Sequence, residues 1–188
     1  MILLTTSRRP TKAIRTFCRD LSHTIPNTLR INRGKLSLEG VAEKALEVNA
    51  EKVLIVERWK GGPGKIQFFN VSEKGLRLIP PLIYLKRVKL QREFPEAKPK
   101  GRRIKSLALA VSRSLSVEVK KLEDALSKFF GIQIVSYEES VKGYDALMQI
   151  MPEQQGFLAV TFKLIPEMVE IGPRIGISHL IWEVDNEG

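Results

Sequence analysis

One succession of patterns occurs twice in this chain, and it limits the fold more than any other feature of the sequence. Ile2–Thr6 is a short apolar run, Ser7-Arg8 opens a polar turn, and apolar residues then recur at helical spacing between Ile14 and Leu21. The same order of apolar run, polar turn and helical pattern returns 105 residues later, with Ser112-Arg113 in the turn. This architectural repeat predicts an α/β fold built from two tandem, similar halves.

The segments between these units complete each half. Apolar runs, caps and glycine turns predict further elements. These are strands at 28–31, 52–59, 65–72, 76–89, 104–111 and 132–136, helices after Ser37 and at 117–130, a hairpin of 146–151 with 157–165, and an extended stretch at 169–182. Because 76–89 passes through Pro80-Pro81, we expect that strand to be bent or to lie at an edge of the sheet. Residues 91–103 lack periodicity and hold two prolines and a glycine, which predicts a linker between halves 1–90 and 104–188.

The distribution of charge indicates the class of partner. The net charge is +10, and two segments carry it: 1–35 has eight Lys or Arg and one acid, and 86–105 has nine Lys or Arg and two acids. The remainder of the chain is therefore net negative. Such concentration is typical of a surface that binds a polyanion such as RNA.

Catalytic and metal-binding chemistry finds no support in the residue pattern. The two histidines, His23 and His179, are far apart and have no cysteine or acidic cluster at ligand spacing. No nucleophile elbow occurs, and Gly61–Gly64 indicates a hairpin turn rather than a phosphate loop. The lone Cys18 is expected to be a buried thiol. We therefore expect a protein that is not an enzyme and uses no cofactor or metal.

The hydropathy pattern also bears on location. No run of 18 apolar residues is present, and a basic segment follows the first six residues at once. We expect a cytoplasmic protein without membrane contact.

The clearest candidate surface is the first loop and helix. Arg8 and Arg9 lie between strand and helix, and Lys12, Arg15 and Arg19 follow at intervals of three or four residues. Since the other side of this helix is apolar, the cationic row must face outward, where it can contact phosphates. Aromatic residues make up only 7% of the chain, which favours recognition of RNA backbone and shape over base stacking. We expect Trp59 and Trp182 to pack in the core or at a strand edge.

Two segments of the chain resemble a known family. The opening, T-T-S-R-x-P followed by a helix, a Pro-Asn and R-x-N-R-G, is similar to the start of the Brix domain of ribosome-biogenesis proteins. The E-x-G-P-R segment at Glu170–Arg174 resembles the motif near the end of that domain. Arg8, Arg9, Arg33 and Arg174 fall on these motifs.

The resemblance implies a single Brix domain over residues 1–188, similar to the anticodon-binding domain of class II aminoacyl-tRNA synthetases. It implies binding of rRNA or precursor rRNA during processing and subunit assembly, without catalysis, together with other ribosome-assembly proteins. The U3 snoRNP component and its relatives are the members most similar in kind, and this chain looks like a bare domain of the archaeal type. The candidate RNA-binding residues are Arg8, Arg9, Lys12, Arg15, Arg19, Arg33, Lys86, Arg87, Lys89, Arg102, Arg103, Lys105 and Arg174.

Two other functions fit the same sequence. The strands could dock proteins within a ribonucleoprotein complex while the charge aids solubility, or the domain could bind tRNA. For Gly34 and Gly172-Pro173 in the motifs, a role in turns is as good an interpretation as contact with RNA.

Overall fold

A computed structural model describes residues 1–94, 104–114, 116–136 and 143–184. The helices are α1 (Lys12–Thr24), α2 (Leu38–Glu47) and α3 (Val117–Phe130). The strands are β1 (Ile2–Thr6), β2 (Thr28–Arg30), β3 (Lys52–Trp59), β4 (Gly62–Ser72), β5 (Gly75–Lys89), β6 (Leu107–Ala110), β7 (Ile134–Val135), β8 (Ala146–Pro152), β9 (Leu158–Leu164) and β10 (Arg174–Ile181). The α/β fold class expected from the sequence is confirmed.

All of these strands belong to one mixed sheet of ten strands. Its order is β2-β1-β3-β4-β5-β10-β9-β8-β6-β7, with β5 and β10 paired antiparallel at the centre. β1 is parallel to both β2 and β3, and β6 is parallel to both β7 and β8. The sequence of parallel and antiparallel pairs is therefore the same from each edge to the centre.

The helices cover the sheet because each has one apolar side. Phe17 of α1 and Leu122 of α3 lie in one shared core together with alternate residues of the strands, such as Leu4 and Leu54. The intervening strand residues, such as Val53, face the other side and form a second core with α2. Alternation along each strand therefore places α1 and α3 on one face of the sheet and α2 on the other.

Local capping determines where the helices begin and end. The hydroxyl oxygens of Thr11 and Ser37 accept hydrogen bonds from the backbone N–H groups of Ile14 and Gly40, which starts α1 and α2. Gly131 ends α3 in the left-handed conformation, at φ 65°. The α3 bounds match the sequence prediction residue for residue.

A lysine joins the first part of the sheet to α3. Lys52, the first residue of β3, donates from Nζ to the carbonyl oxygens of Lys128 and Phe129, at 2.7 and 2.8 Å. Carbonyls at the end of a helix lack partners within the helix and carry partial negative charge, so an ammonium group stabilises them. This contact fixes the end of α3 against the first half of the chain.

The predicted position of one strand and the predicted bounds of several others differ from the structure. We expected the strand at 76–89 to be bent or to lie at an edge. β5 is a central strand, so the edge alternative is wrong, and Pro80-Pro81 lies where the register to β4 shifts between the pairs Phe68–Ile79 and Ile66–Ile83. A proline needs no ladder partner at such an irregularity. β6, β7 and β10 are shorter than the predicted 104–111, 132–136 and 169–182, and β4 begins three residues earlier than predicted, at Gly62.

The segment assigned to the linker also begins with ordered structure. Gln91–Glu93 form a 3₁₀ turn, and Phe94 is buried beside it. Residues 95–103 of that predicted linker lie outside the described residues. Within the described ranges, no helix is long and apolar enough to cross a membrane.

Candidate nucleic-acid interface

The loop between β1 and α1 presents cations next to a helix N-terminus. β1 ends at Thr6, Arg8 and Arg9 are exposed, and the first turn of α1 contains no acidic residue. The backbone N–H groups of a first helical turn carry partial positive charge and bind anions. Helix and loop therefore present charge of the same sign at one place.

The outer side of α1 continues this charge. Lys12, Arg15 and Arg19 are exposed, on the side opposite the buried Ile14 and Phe17. Arg15 donates to the carbonyl of Pro10 at 3.1 Å, and Arg19 Nε lies 3.9 Å from a carboxylate oxygen of Asp20.

Within the described residues, most of these cations form no ion pair with an acidic side chain. Across the part of the chain that the structure describes, Arg8, Arg9, Lys12 and Arg15 form no ion pair. Their charge is therefore available to an external anion.

The other basic segment, 86–105, passes beside the same helix at Gln91. The backbone N–H of Gln91 donates to Asp20 Oδ2 at 3.0 Å, and its side-chain amide donates to the hydroxyl of Thr24 at 2.8 Å. Burial raises the pKa of Asp20, while the hydrogen bond from Gln91 and the positive charges of Arg19 and Arg92 oppose that rise. Arg92 therefore lies close to α1 and extends its cationic surface.

The candidates on β5 are exposed but partly engaged within the protein. Lys86 lies over the ring of Phe157 at 3.4 Å, and Lys89 over the ring of Phe94 at 4.2 Å. Arg87 lies 3.4 Å from a carboxylate oxygen of Glu153.

Of the remaining candidates in the segment 86–105, the structure describes one. Lys105 is exposed, and its backbone N–H donates to Asp145. Arg102 and Arg103 lie outside the described residues.

Arg33, a candidate from the R-x-N-R-G motif, is turned inward. It is 8% exposed, and it donates from Nε to the carbonyl of Leu36 at 3.1 Å and from NH1 to the carbonyl of Thr6 at 3.3 Å. Burial lowers its pKa, and the nearby charge of Arg8 acts in the same direction. The guanidinium thus holds the loop after β2 to the end of β1.

Arg174, in the E-x-G-P-R motif, also serves an internal contact. Its guanidinium binds both carboxylate oxygens of Glu170, with Nε at 2.7 Å from Oε1, and the buried hydroxyl of Thr161 donates to the same carboxylate. Burial works to raise the pKa of Glu170, but hydrogen bonds from Arg174 and Thr161 lower it overall. The pair fixes the segment that leads into β10.

The glycine of this motif is explained by its neighbours. Gly172 has φ 65°, and a Cβ atom there would lie 2.5 Å from the ring of Phe94. Its carbonyl accepts hydrogen bonds from the Thr24 hydroxyl and the Gln91 amide, both at 3.3 Å. The motif therefore packs where the end of α1 meets the segment after β5.

One exposed aromatic residue escaped the sequence prediction. Trp59 was expected in the core or at a strand edge, but it is 68% exposed at the tip of the hairpin between β3 and β4. The flanking cations Arg58 and Lys60, followed by Gly61, were the available signal. Trp182 packs in part against the core, as expected.

Comparison of the sequence and fold with known proteins identifies the family of this chain. No family model matches the chain in a scan of such models. A protein of Pyrococcus horikoshii described as a probable Brix domain-containing ribosomal biogenesis protein is 42% identical over 94 residues, which is 50% of this chain but only 42% of that relative. A protein of Methanopyrus kandleri with the same description is 31% identical over 139 residues, covering 70% of this chain and 67% of the relative.

A solved structure shows the same fold over almost the whole length. The crystal structure of a probable ribosomal biogenesis protein from Aeropyrum pernix K1 superposes with a TM-score of 0.77 at 28% identity, and the match covers 96% of this chain and 98% of that one. The architecture is thus that of archaeal ribosomal biogenesis proteins. The chain belongs to the family of Brix domain-containing ribosomal biogenesis proteins, which confirms the resemblance carried by its terminal motifs.

Proposed function

We propose that this protein binds rRNA or precursor rRNA during ribosomal-subunit assembly and acts by holding and positioning the RNA, without catalysis. The observation that carries this proposal is the cationic outer side of α1, with the exposed Arg8-Arg9 loop at its start and Arg92 beside its other half. Ribosome assembly involves rRNA, which is a polyanion, and a row of Lys and Arg side chains without acidic partners can neutralise its phosphates.

The candidate residues take two roles in this proposal. Arg8, Arg9, Lys12, Arg15 and Arg19 contact phosphates directly. The exposed Lys86, Arg87, Lys89 and Lys105 extend the surface, and Arg102 and Arg103 belong to the same basic segment. Arg33 and Arg174 position the loops, because their guanidinium groups already bind partners within the protein.

The same proposal covers the organisation of the chain. We take residues 1–188 as one Brix domain of two similar halves, 1–90 and 104–188, and the identical order of strand pairs from each edge of the sheet supports this. The likeness to the anticodon-binding domain of class II synthetases rests on the family resemblance alone. We place the protein in the cytoplasm, together with other assembly proteins.

Crosslinking tests the partner class. The protein is crosslinked to RNA in cell extract, and the bound fragments are sequenced. Enrichment of precursor rRNA supports the proposal, whereas enrichment of tRNA, or no RNA above background, contradicts it.

A matched pair of variants tests the surface. Replacing Arg8, Arg9 and Lys12 together by alanine should weaken RNA binding by about 10- to 100-fold and flatten its salt dependence, because phosphate contacts release counterions. The control replaces Arg113, Lys121 and Lys128 at and along α3, which removes the same number of charges from exposed positions. Equal losses in both variants would show that net charge, and not this surface, binds RNA.

A further inference from the structure

The hairpin between β3 and β4 is built to hold its tip rigid. Trp59 pairs with Gly62, which leaves only Lys60 and Gly61 in the turn, and both have positive φ, 44° and 85°. A two-residue turn of this kind matches the twist of the strands that it joins. The tip is therefore an extension of the sheet and not a loose loop.

Trp59 is seated on this ribbon with its ring in solvent. A Cβ atom at Gly64 would lie 2.1 Å from the Cβ of Trp59, so only glycine allows this close approach. The register shift between Glu57 and Arg58 makes room for Gly64 opposite the strand. The base of the tryptophan is thus held by the backbone while 68% of the residue stays exposed.

The tip stands next to the proposed phosphate-binding surface. β1 and β3 are parallel neighbours, and Thr6, the last residue of β1, pairs with Val56. Trp59 comes three residues later, roughly 10 Å beyond the end of β1, where the Arg8-Arg9 loop also begins. Arg58 and Lys60, both exposed, flank the ring.

We infer that Trp59 stacks on an unpaired nucleobase of the RNA whose phosphates are held by Arg8, Arg58 and Lys60. This inference rests on the proposed RNA-binding function and adds a site for a base to it. An exposed indole beside cations is the combination that binds single-stranded nucleic acid, since every base has a face that stacks on an aromatic ring. A single-stranded RNA segment therefore fits this tip better than a duplex.

The test compares variants on two RNAs. Wild-type protein and the variants Trp59→Ala and Trp59→Phe are titrated with a single-stranded oligoribonucleotide and with a duplex of equal length. We expect Trp59→Ala to lose about tenfold in affinity for the single strand, with an unchanged salt slope and unchanged duplex affinity. Trp59→Phe should recover most of the loss. Val117→Ala, at another exposed apolar residue, is the control and should bind as wild type does.

Fluorescence supplies a readout that affinity alone does not. In the variant Trp182→Phe, Trp59 is the sole tryptophan. Its emission should be quenched saturably by the single strand and much less by the duplex, as contact between ring and base requires. Unchanged single-strand affinity of Trp59→Ala with no quenching would overturn the stacking site and leave the α1 surface standing. Failure of the wild type to bind either RNA would overturn the RNA-binding function itself.

Discussion

The units β1–α1 and β6–α3 have the same architecture but differ in the charged residues that their helices carry. The starts of α1 and α3 are 105 residues apart, as are the turns that precede them, and both helices pack into one core. α1 carries three Lys or Arg and one acid, which is buried, whereas α3 carries three lysines and three acids. At this offset, Arg8 of the first unit corresponds to Arg113 of the second, Arg9 to Ser114, Lys12 to Val117, Arg15 to Lys120 and Arg19 to Asp124.

In the second unit, a buried carboxylate is bound by the loop before α3 and by a lysine of the same helix. Glu123 is 2% exposed and accepts a hydrogen bond from the backbone N–H of Ser112 at 2.5 Å, while Lys120 donates to the same carboxylate and to the Ser112 carbonyl. The corresponding residue of α1 is Cys18, whose burial raises its pKa to about 12. The second unit thus supplies an anion to its own loop, whereas the first leaves its cations to an external one. Two units of the same architecture thus differ in which charges remain unpaired, and it is this difference to which the proposed function assigns RNA binding by the first unit.

Reversing charge on α1 should give the largest effect. The change of Arg15 and Arg19 to glutamate is expected to weaken RNA binding by about 100-fold, since it replaces two attractions to phosphate by two repulsions. Binding is measured by titration at several salt concentrations. The control, Lys121→Glu with Lys128→Glu on α3, reverses the same number of charges at exposed positions and should cost less than about threefold. A similar loss in the control would break the distinction between the two units.

Removing the internal anion should affect stability and not binding. Glu123→Ala leaves the Ser112 N–H and the Lys120 ammonium without their partner, and we expect it to lower the free energy of unfolding by about 2 kcal/mol. Urea unfolding followed by circular dichroism measures this. Cys18→Ala, at the corresponding position of α1, should cost about 1 kcal/mol through lost packing alone. Equal costs would mean that the carboxylate has no special role in the second unit.

The ion pair of Glu170 and Arg174 predicts a dependence on pH. Because the folded-state pKa of Glu170 is lowered, its contribution to stability is present above its unfolded-state pKa and is lost as pH falls through the folded-state pKa. Glu170→Gln should therefore cost about 1 kcal/mol at neutral pH and little in acid. Urea unfolding at a series of pH values tests this. A constant difference between variant and wild type across the series would contradict it.

Grafting the row of cations onto α3 should give the smallest effect. Val117→Lys with Asp124→Arg makes its outer side resemble that of α1, and both positions are exposed. We expect RNA affinity to rise by about two- to fivefold, with a salt slope steeper by about one phosphate contact. If the graft raised RNA affinity by as much as charge reversal on α1 lowered it, RNA binding would not depend on where the cations lie on the molecule.

Much of the fold follows from local pattern. The α3 bounds, the Ser37 cap and the β3 bounds were all predictable, because helical periodicity, capping and short apolar runs depend on neighbours in sequence. The outward cationic row of α1 was predictable for the same reason. One side of a helix can be read as buried when its apolar residues recur with the helical period.

Other features depend on segments far apart in the chain. β5 is a central strand because β4 and β10 pair on either side of it, and Pro80-Pro81 fits there because neither proline takes part in either pairing, which no local pattern reveals. Arg33 looks like any other cation in the sequence, but the carbonyl of Thr6 reaches it only through the pairing of β1 with β2. Trp59 reads as a strand residue, and it is exposed because β3 and β4 continue as a hairpin beyond the end of β1.

By itself, the sequence determined the class of fold, the position of the helices and the cationic side of α1, because these follow from periodicity and charge within a few turns of chain. Only the tertiary structure decided which cations stay free and which are used internally. An arginine becomes a structural residue when distant backbone carbonyls or a carboxylate satisfy its donors, as for Arg33 and Arg174. That outcome is set by long-range pairing of strands, and so it is absent from any local pattern.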